Sequence, residues 1–374
     1  MRPHGVSNAY PTREEDPTCC IRRLVSRLDV SYRRKDGLKP AKPIFHRLSQ
    51  TSQERRDASL TERPVDATVL TPSDVAAAEE KGKTVLYLAY GSNLCNETFR
   101  KARGIRPLSQ INVLVPTLRL TFDLPGIPYT EPCFANSAIR DPGSDVAKAV
   151  EGKPDYHKDR WHKGMVGCVY EVTPSDYAHI IATEGGGASY EDVLVDCYPL
   201  PSADTVPSTP TTSPFKAHTL FAPIASATSP FRRPDPSYAQ PSARYLKLIT
   251  DGATELELPT EYQEYLNGIR SYTITSKRQQ VGKVLFASIW MPFVLMLFGL
   301  GKTFQDDEGR VPQWLGMLLG WVFKGMWVSY DGVFRRAFGN GERTEECDEE
   351  DEGRGSLAGV RKSVIYCDSV VNLV

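Results

Sequence analysis

Val85-Leu86-Tyr87-Leu88-Ala89 runs directly into Tyr90-Gly91-Ser92-Asn93-Leu94. The first five residues are apolar or aromatic, and the Gly-Ser-Asn step that follows breaks them off. That pattern predicts a buried strand ending in a turn. A strand that stops at a glycine turn aims several backbone N–H groups into one concavity, which suits a carboxylate or a developing oxyanion. Glycine belongs where a ligand must approach the backbone closely. Taken alone, the same letters equally describe a plain turn.

Working outward, a polar helix is expected over 95–103, then strands over 111–115 and 118–122, divided by Pro116. Residues 124–128, Leu-Pro-Gly-Ile-Pro, read as a turn. A further strand falls at 165–172. Thr173-Pro174-Ser175-Asp176 then starts a helix, with Thr as cap, Pro in the first turn and an acid beside it. Tyr177, Ile180 and Ile181 give that helix one apolar face, and Gly185-Gly186-Gly187 stops it. Residues 193–198 form another strand. Residues 201–241 are a Pro/Ser/Thr-rich insertion that includes a short strand over 217–222, and 201–214 should be plain surface loop. The chain regains apolar character from Ala243, and Leu258-Pro259-Thr260-Glu261-Tyr262 opens a helix. Short strands alternating with few helices predict an α+β domain over 84–272 with a closed or nearly closed mixed sheet. Residues 1–83 are polar and Pro-rich and are expected to be a disordered arm, with order beginning at Thr84.

The formal net charge of -1 provides no global field for nucleic acid. The Cys count is 8, without a C-x-x-C pair or a dense framework, so reduced thiols are expected rather than zinc or disulfides. No cofactor or metal is expected. The absence of a long apolar run near Met1 argues against a cleaved signal peptide.

The C-terminal third differs in kind. Residues 284–301 carry no charge, within a hydrophobic region spanning 281–338. A bilayer span takes about 20 apolar residues and as few as about 17. With the domain complete by Tyr272, no core remains for 284–301 to join, so a membrane helix is expected. A second apolar stretch, 311–334, is interrupted by Lys324 and Asp331 and either spans or lies at the interface. Lys277, Arg278 and Lys283 precede the pair and Arg335 and Arg336 follow it, which places both outer ends, and the folded domain, on the cytosolic side of a membrane. Residues 339–374 are acidic and expected to be disordered.

The chemistry centres on Glu184. It sits at the C-terminus of a short helix, where the dipole disfavours its ionised form and makes it a better general base. The glycines after it leave room for a substrate. A solvated helix-end carboxylate fits the same spacing. His157, His162 and His179 are rival bases, with nothing placing them near Ser92. Ser92 itself lacks the G-x-S-x-G flanks of a hydrolase nucleophile.

Residues 87–94 resemble the Y-x-A-Y-G-S-N-L signature of γ-glutamylcyclotransferases. Residues 164–170 are similar to the family's G-x-V-Y strand, and Glu184-Gly185 to its E-G step. Residues 241–247 are similar to the segment carrying its substrate-contacting tyrosine, and 258–266 to the helix after it. These matches occur in order across about half of the chain. The resemblance implies a small mixed barrel-like sheet with peripheral helices. It implies intramolecular cyclisation of a γ-glutamyl group to 5-oxoproline, with release of the amino acid or amine. It assigns Glu184 as proton acceptor, with Tyr87, Leu88, Ala89, Tyr90, Gly91 and Ser92, together with Tyr245, as substrate-binding residues. The expected partner is a γ-glutamyl amino acid or a related small molecule. The YGSN form favours the general over the glutathione-specific branch. The glycine run after Glu184 departs from the family pattern and opens substrate identity to γ-glutamyl thiol conjugates of secondary metabolism. A membrane-tethered binding protein without turnover is the rival from another class.

Overall fold

Strand β1, Val85–Ala89, is one of the five strands of a closed sheet. In the computed structural model, which describes residues 48–65, 71–141, 161–183, 191–221, 239–304 and 312–345, the barrel order is β1-β5-β2-β6-β7. The strands are β2 Ser109–Val115, β3 Leu118–Ile127, β4 Glu131–Ile139, β5 Met165–Val172, β6 Glu191–Pro199 and β7 Phe215–Phe221. Ladders are antiparallel except where β1 meets β7 in parallel at Tyr87↔His218, the contact that closes the barrel. Leu86, Leu88, Val113, Val169 and Ala217 share one face of the sheet and pack the interior with side chains fully out of water. Closure leaves no unpaired edge along this small sheet, which suits strands so short. This is the expected α+β architecture with a barrel-like sheet.

β3 and β4 form a separate two-stranded tongue. Residues 124–128, expected as a turn, instead continue β3 to Ile127, with Leu124↔Phe134, Pro125↔Cys133 and Ile127↔Glu131 in register. A register shift between Thr121 and Leu124 absorbs the irregularity. Pro125 is tolerated because a two-stranded ribbon has an unpaired outer edge. The true turn is at Tyr129, whose φ is 63°.

Helix α1, Gln53–Ser59, and helix α2, Pro72–Glu80, correct the expectation that order begins at Thr84. Ser52 caps α1. Thr71 and Asp74 form a reciprocal capping box on α2 with Pro72 in its first turn, a signal present in the sequence. Both helices are tied to the barrel. Thr51 Oγ1 lies 2.9 Å from Ser109 Oγ, the Arg55 guanidinium reaches Thr84, and Glu79 accepts from the Ser175 amide at 3.1 Å.

Helix α3, Pro174–Thr183, starts as expected, with Thr173 accepting from the Asp176 amide. Helices α4, Ala243–Glu255, and α5, Thr260–Asn267, follow the barrel. The 201–241 insertion is not an appendage, since β7 within it closes the barrel. Nor is 201–214 mere surface. Val206 is 2% exposed, its amide donates to Glu261 at 2.7 Å, and its carbonyl accepts from Lys163 at 2.8 Å.

Helix α6, Lys277–Phe304, and helix α7, Gln313–Ser329, make the C-terminal hairpin; a π-turn, Tyr330–Phe334, and the short α8, Arg335–Phe338, follow. The domain is not complete at Tyr272. Phe286, Met326, Trp327, Tyr330 and Phe334 bury themselves against Tyr129 at the tip of the β3–β4 tongue. Residues 339–345, expected to be part of a disordered tail, run back over the domain. The Tyr129 amide donates to Gly341 and its phenol to Gly339, both at 2.8 Å, while the Gln240 amide donates to Glu342 at 2.8 Å. Those backbone bonds satisfy groups that composition alone assigns to solvent.

Candidate active site

β1 delivers its last residues to a tight corner. Tyr87, Leu88 and Ala89 turn their side chains into the core, at 5%, 0% and 1% exposure, so only the backbone that follows them is left to meet a ligand. Asn93 donates to the Tyr87 phenol at 2.9 Å and thereby ties the turn back to the strand. Tyr90 reaches the Leu220 carbonyl at 3.4 Å. Gly91 leads into a 3-10 turn, Ser92–Leu94, closed by the Leu94 amide on the Gly91 carbonyl at 3.0 Å.

Tyr245 comes to this corner from α4. The helix lies directly on the turn at Gly252, where a Cβ would stand 2.5 Å from the Cys95 nitrogen, so only glycine permits the approach. Ser242 caps α4 and accepts from the Tyr245 amide at 3.0 Å. The Tyr245 phenol accepts from the Ala135 amide of β4 at 3.2 Å, and the Phe134 ring meets the Tyr245 ring edge-on at 5.1 Å. A Cβ built on Gly91 would lie 3.4 Å from Ala135 Cβ and 3.5 Å from the Tyr245 oxygen. Gly91, Ala135 and Tyr245 therefore frame one point. Of the residues singled out in the sequence, the turn and Tyr245 are brought together.

Glu184 lies outside the described residues. Its preceding neighbour, Thr183, is the last residue of α3, and β6 begins a few residues after it. The two elements are joined where they approach: Tyr177 of α3 donates to Asp192 of β6 at 2.6 Å. Asp192 also receives the Val65 amide at 2.5 Å and His218 Nδ1 at 2.8 Å, and His218 Nε2 faces Glu62 at 3.3 Å. The Tyr87 ring packs on Tyr177 at 6.1 Å, so this buried network adjoins the first residue of the signature. Burial works against a charge on His218, but hydrogen bonds to Asp192 and Glu62 and the attraction of both carboxylates win, raising its pKa to about 9. Burial and the Asp192 carboxylate push the Tyr177 phenol well up, so it stays a donor.

Of the rival bases, His179 lies on α3 and the His162 carbonyl accepts from Arg140, while His157 lies outside the described residues. Burial raises the pKa of Cys95, the thiol next to the turn, which disfavours the thiolate a nucleophile needs. Among the described residues no group of His, Cys, Asp and Glu side chains forms a metal site. Sequence reasoning missed Ala135 and Phe134, apolar residues on a strand that no clear alternation marks in the sequence. It also missed Asp192, His218 and Glu62, whose proximity depends on barrel closure.

The comparisons give this geometry a family. Residues 276–337 match the family described as the AclK C-terminal domain. The chain is 34% identical over 268 residues to the γ-glutamyl cyclotransferase gliK of Aspergillus fumigatus, covering 71% of this chain and 92% of that protein. It is 31% identical over 269 residues to the γ-glutamyl cyclotransferase aclK of Aspergillus oryzae, covering 70% and 92%. A solved structure titled "Gamma-glutamyl cyclotransferase" is 20% identical, covers 52% of this chain and 93% of its own, and has a TM-score of 0.35. With more than nine-tenths of the first two relatives covered, the chain belongs to the γ-glutamylcyclotransferase family.

Proposed function

We propose that Glu184, the residue that follows α3 in the sequence, drives the family reaction on a substrate held between the Tyr87–Ser92 segment and Tyr245. The chain cyclises a γ-glutamyl group to 5-oxoproline and releases the attached amino acid or amine. The observation that carries the reading is the corner itself, with Gly91 and the Tyr245 phenol converging on one point at a half-buried turn.

Glu184 takes a proton from the substrate's α-ammonium. The freed amine attacks the γ-carbonyl carbon of the same group; the new C–N bond forms as the carbonyl π electrons move to oxygen. Backbone N–H groups of the turn stabilise that oxyanion. Collapse restores the carbonyl and breaks the bond to the departing nitrogen, which takes the proton held by Glu184, while the second proton of the attacking nitrogen passes through solvent to the departing amine and leaves the neutral lactam. Because attack is intramolecular, holding the chain folded back supplies much of the rate.

Glu184→Gln keeps the size of the side chain and removes the proton acceptor. We expect turnover to fall about a hundredfold to ten-thousandfold, the usual cost of losing a general base, with KM much less affected. Glu171→Gln and Glu191→Gln, close in sequence, are the controls. 5-Oxoproline made at the parental rate by folded Glu184→Gln would remove Glu184 from the mechanism. No 5-oxoproline from the parent with any γ-glutamyl compound would favour a binding protein without turnover.

We further infer that the hairpin is a membrane element, with the catalytic domain on the cytosolic side. The most apolar 18-residue stretch of α6 has a mean hydropathy of 2.1 and is only 18% buried, so it is no ordinary core helix. Val284, Ile289, Phe293 and Met296 on α6 and Met317 and Trp321 on α7 are exposed, an apolar surface that lipid would cover. Full-length protein recovered in the soluble fraction without detergent would rule this out.

A further inference from the structure

The corner's second wall, Tyr245, owes its place to a residue outside the signature. Glu131 opens β4 and is 8% exposed. Its two carboxylate oxygens take different partners, the Ser242 hydroxyl and the Arg244 guanidinium. Ser242 is the cap of α4. Its hydroxyl therefore donates to Glu131 while its oxygen accepts from the Tyr245 amide at 3.0 Å. Four residues along the same strand, the Ala135 amide donates to the Tyr245 phenol at 3.2 Å. β4 thus holds Tyr245 at both ends, the backbone through Glu131 and Ser242 and the ring tip through Ala135.

The cap is fixed from the other side as well. The Tyr272 amide donates to the Pro241 carbonyl at 2.8 Å, and the Thr344 amide to the Gln240 side chain at 2.7 Å. A buried carboxylate is costly unless every oxygen is bonded. Spending one on a helix cap makes sense where the direction of that helix matters.

We propose that Glu131 is a positioning residue for the γ-glutamyl substrate, acting through Ser242 to set the reach of the Tyr245 phenol toward Gly91. This rests on Tyr245 contacting the γ-glutamyl head. A misplacement of about 1 Å at such a contact costs up to about a hundredfold.

The test is steady-state 5-oxoproline release by the full-length protein from γ-glutamyl-alanine. Tyr245→Phe should raise KM about tenfold with kcat within about threefold. Glu131→Ala should raise KM by a similar factor, and the double variant should be no worse than the worse single, since both act at one contact. Glu131→Gln should restore KM, because its amide oxygen still accepts from Ser242. Where Glu131→Ala fails to fold, Ser242→Ala carries the test: it keeps the Glu131–Arg244 pair and should show the same KM rise. A normal KM in Ser242→Ala or folded Glu131→Ala, beside a raised KM in Tyr245→Phe, would overturn the proposal. So would multiplicative effects in the double variant, or failure of Glu131→Gln to rescue. A normal KM in Tyr245→Phe would instead remove Tyr245 from the substrate site.

Discussion

Tyr177 and Asp192 are joined by a 2.6 Å hydrogen bond, with Glu184 between them in the sequence. Tyr177 lies on α3, before Glu184, and Asp192 on β6, after it. The bond is buried, and Asp192 uses its remaining capacity on His218 and the Val65 amide. The N-terminal segment, the helix before Glu184 and the barrel therefore meet at a single carboxylate.

That meeting point predicts a pH dependence of stability. His218 is raised from 6.5 to about 9, and the groups facing it are Asp192 and Glu62, with Arg55 pairing Glu62 at 2.9 Å. The folded state holds the proton more tightly than the unfolded chain. The stabilisation is therefore complete below about pH 6.5 and is lost as pH rises through about 9. We expect the melting temperature of the parent to fall between pH 7 and 10 relative to that of His218→Gln, which lacks this proton. Parallel curves for the two proteins would show that His218 is not charged in the fold.

Gly91→Ala should separate folding from binding. The added methyl meets Ala135 and Tyr245 only at ordinary contact distance, 3.4 and 3.5 Å, so the melting temperature should move by no more than a few degrees. The methyl nevertheless occupies the point the corner frames. KM should rise about tenfold or more, equivalent to about 1.4 kcal/mol of lost binding. Unchanged kinetics would place the substrate elsewhere.

Val206 should be expensive to remove. Burying a valine side chain is worth about 1.5–3 kcal/mol, and Val206 also carries backbone bonds to Glu261 and Lys163. Val206→Ala should cost about 1–2 kcal/mol in urea denaturation, and deleting 201–214 considerably more. A deletion variant with the parental midpoint would restore the simple surface-loop reading.

The barrel was legible because its strands carry local signals. The apolar run ending at Gly91, the Thr173 cap and the core face of Tyr177, Ile180 and Ile181 all stand in sequence where the structure uses them. The misreadings share one cause. Pro125 reads as a turn because sequence does not reveal that its strand edge faces no partner. Val206 reads as surface because one buried residue in a polar loop has no period. The 339–345 segment reads as disordered because its ordering comes from backbone bonds to distant Tyr129 and Gln240, which composition does not encode. In the site, the turn and Tyr245 were found through family resemblance. Glu131 and Asp192 were not, since an acid in an irregular strand looks like solvent-exposed charge until its partners are in place.

The bond between Tyr129 and Gly341 joins residues far apart in the chain, and this orders events during synthesis. The barrel and α4 are made well before residues 339–345 leave the ribosome. At about 5–20 residues per second, the stretch from α4 to Gly341 takes several seconds or more to translate. Through that interval the tongue tip and the segment leading into Ser242 lack the 339–345 segment that later lies across them. Tyr245 is the last of the named site residues to be made, and the segment that backs its helix cap arrives later still. The nascent enzyme acquires its finished substrate wall only as a late step of its own translation.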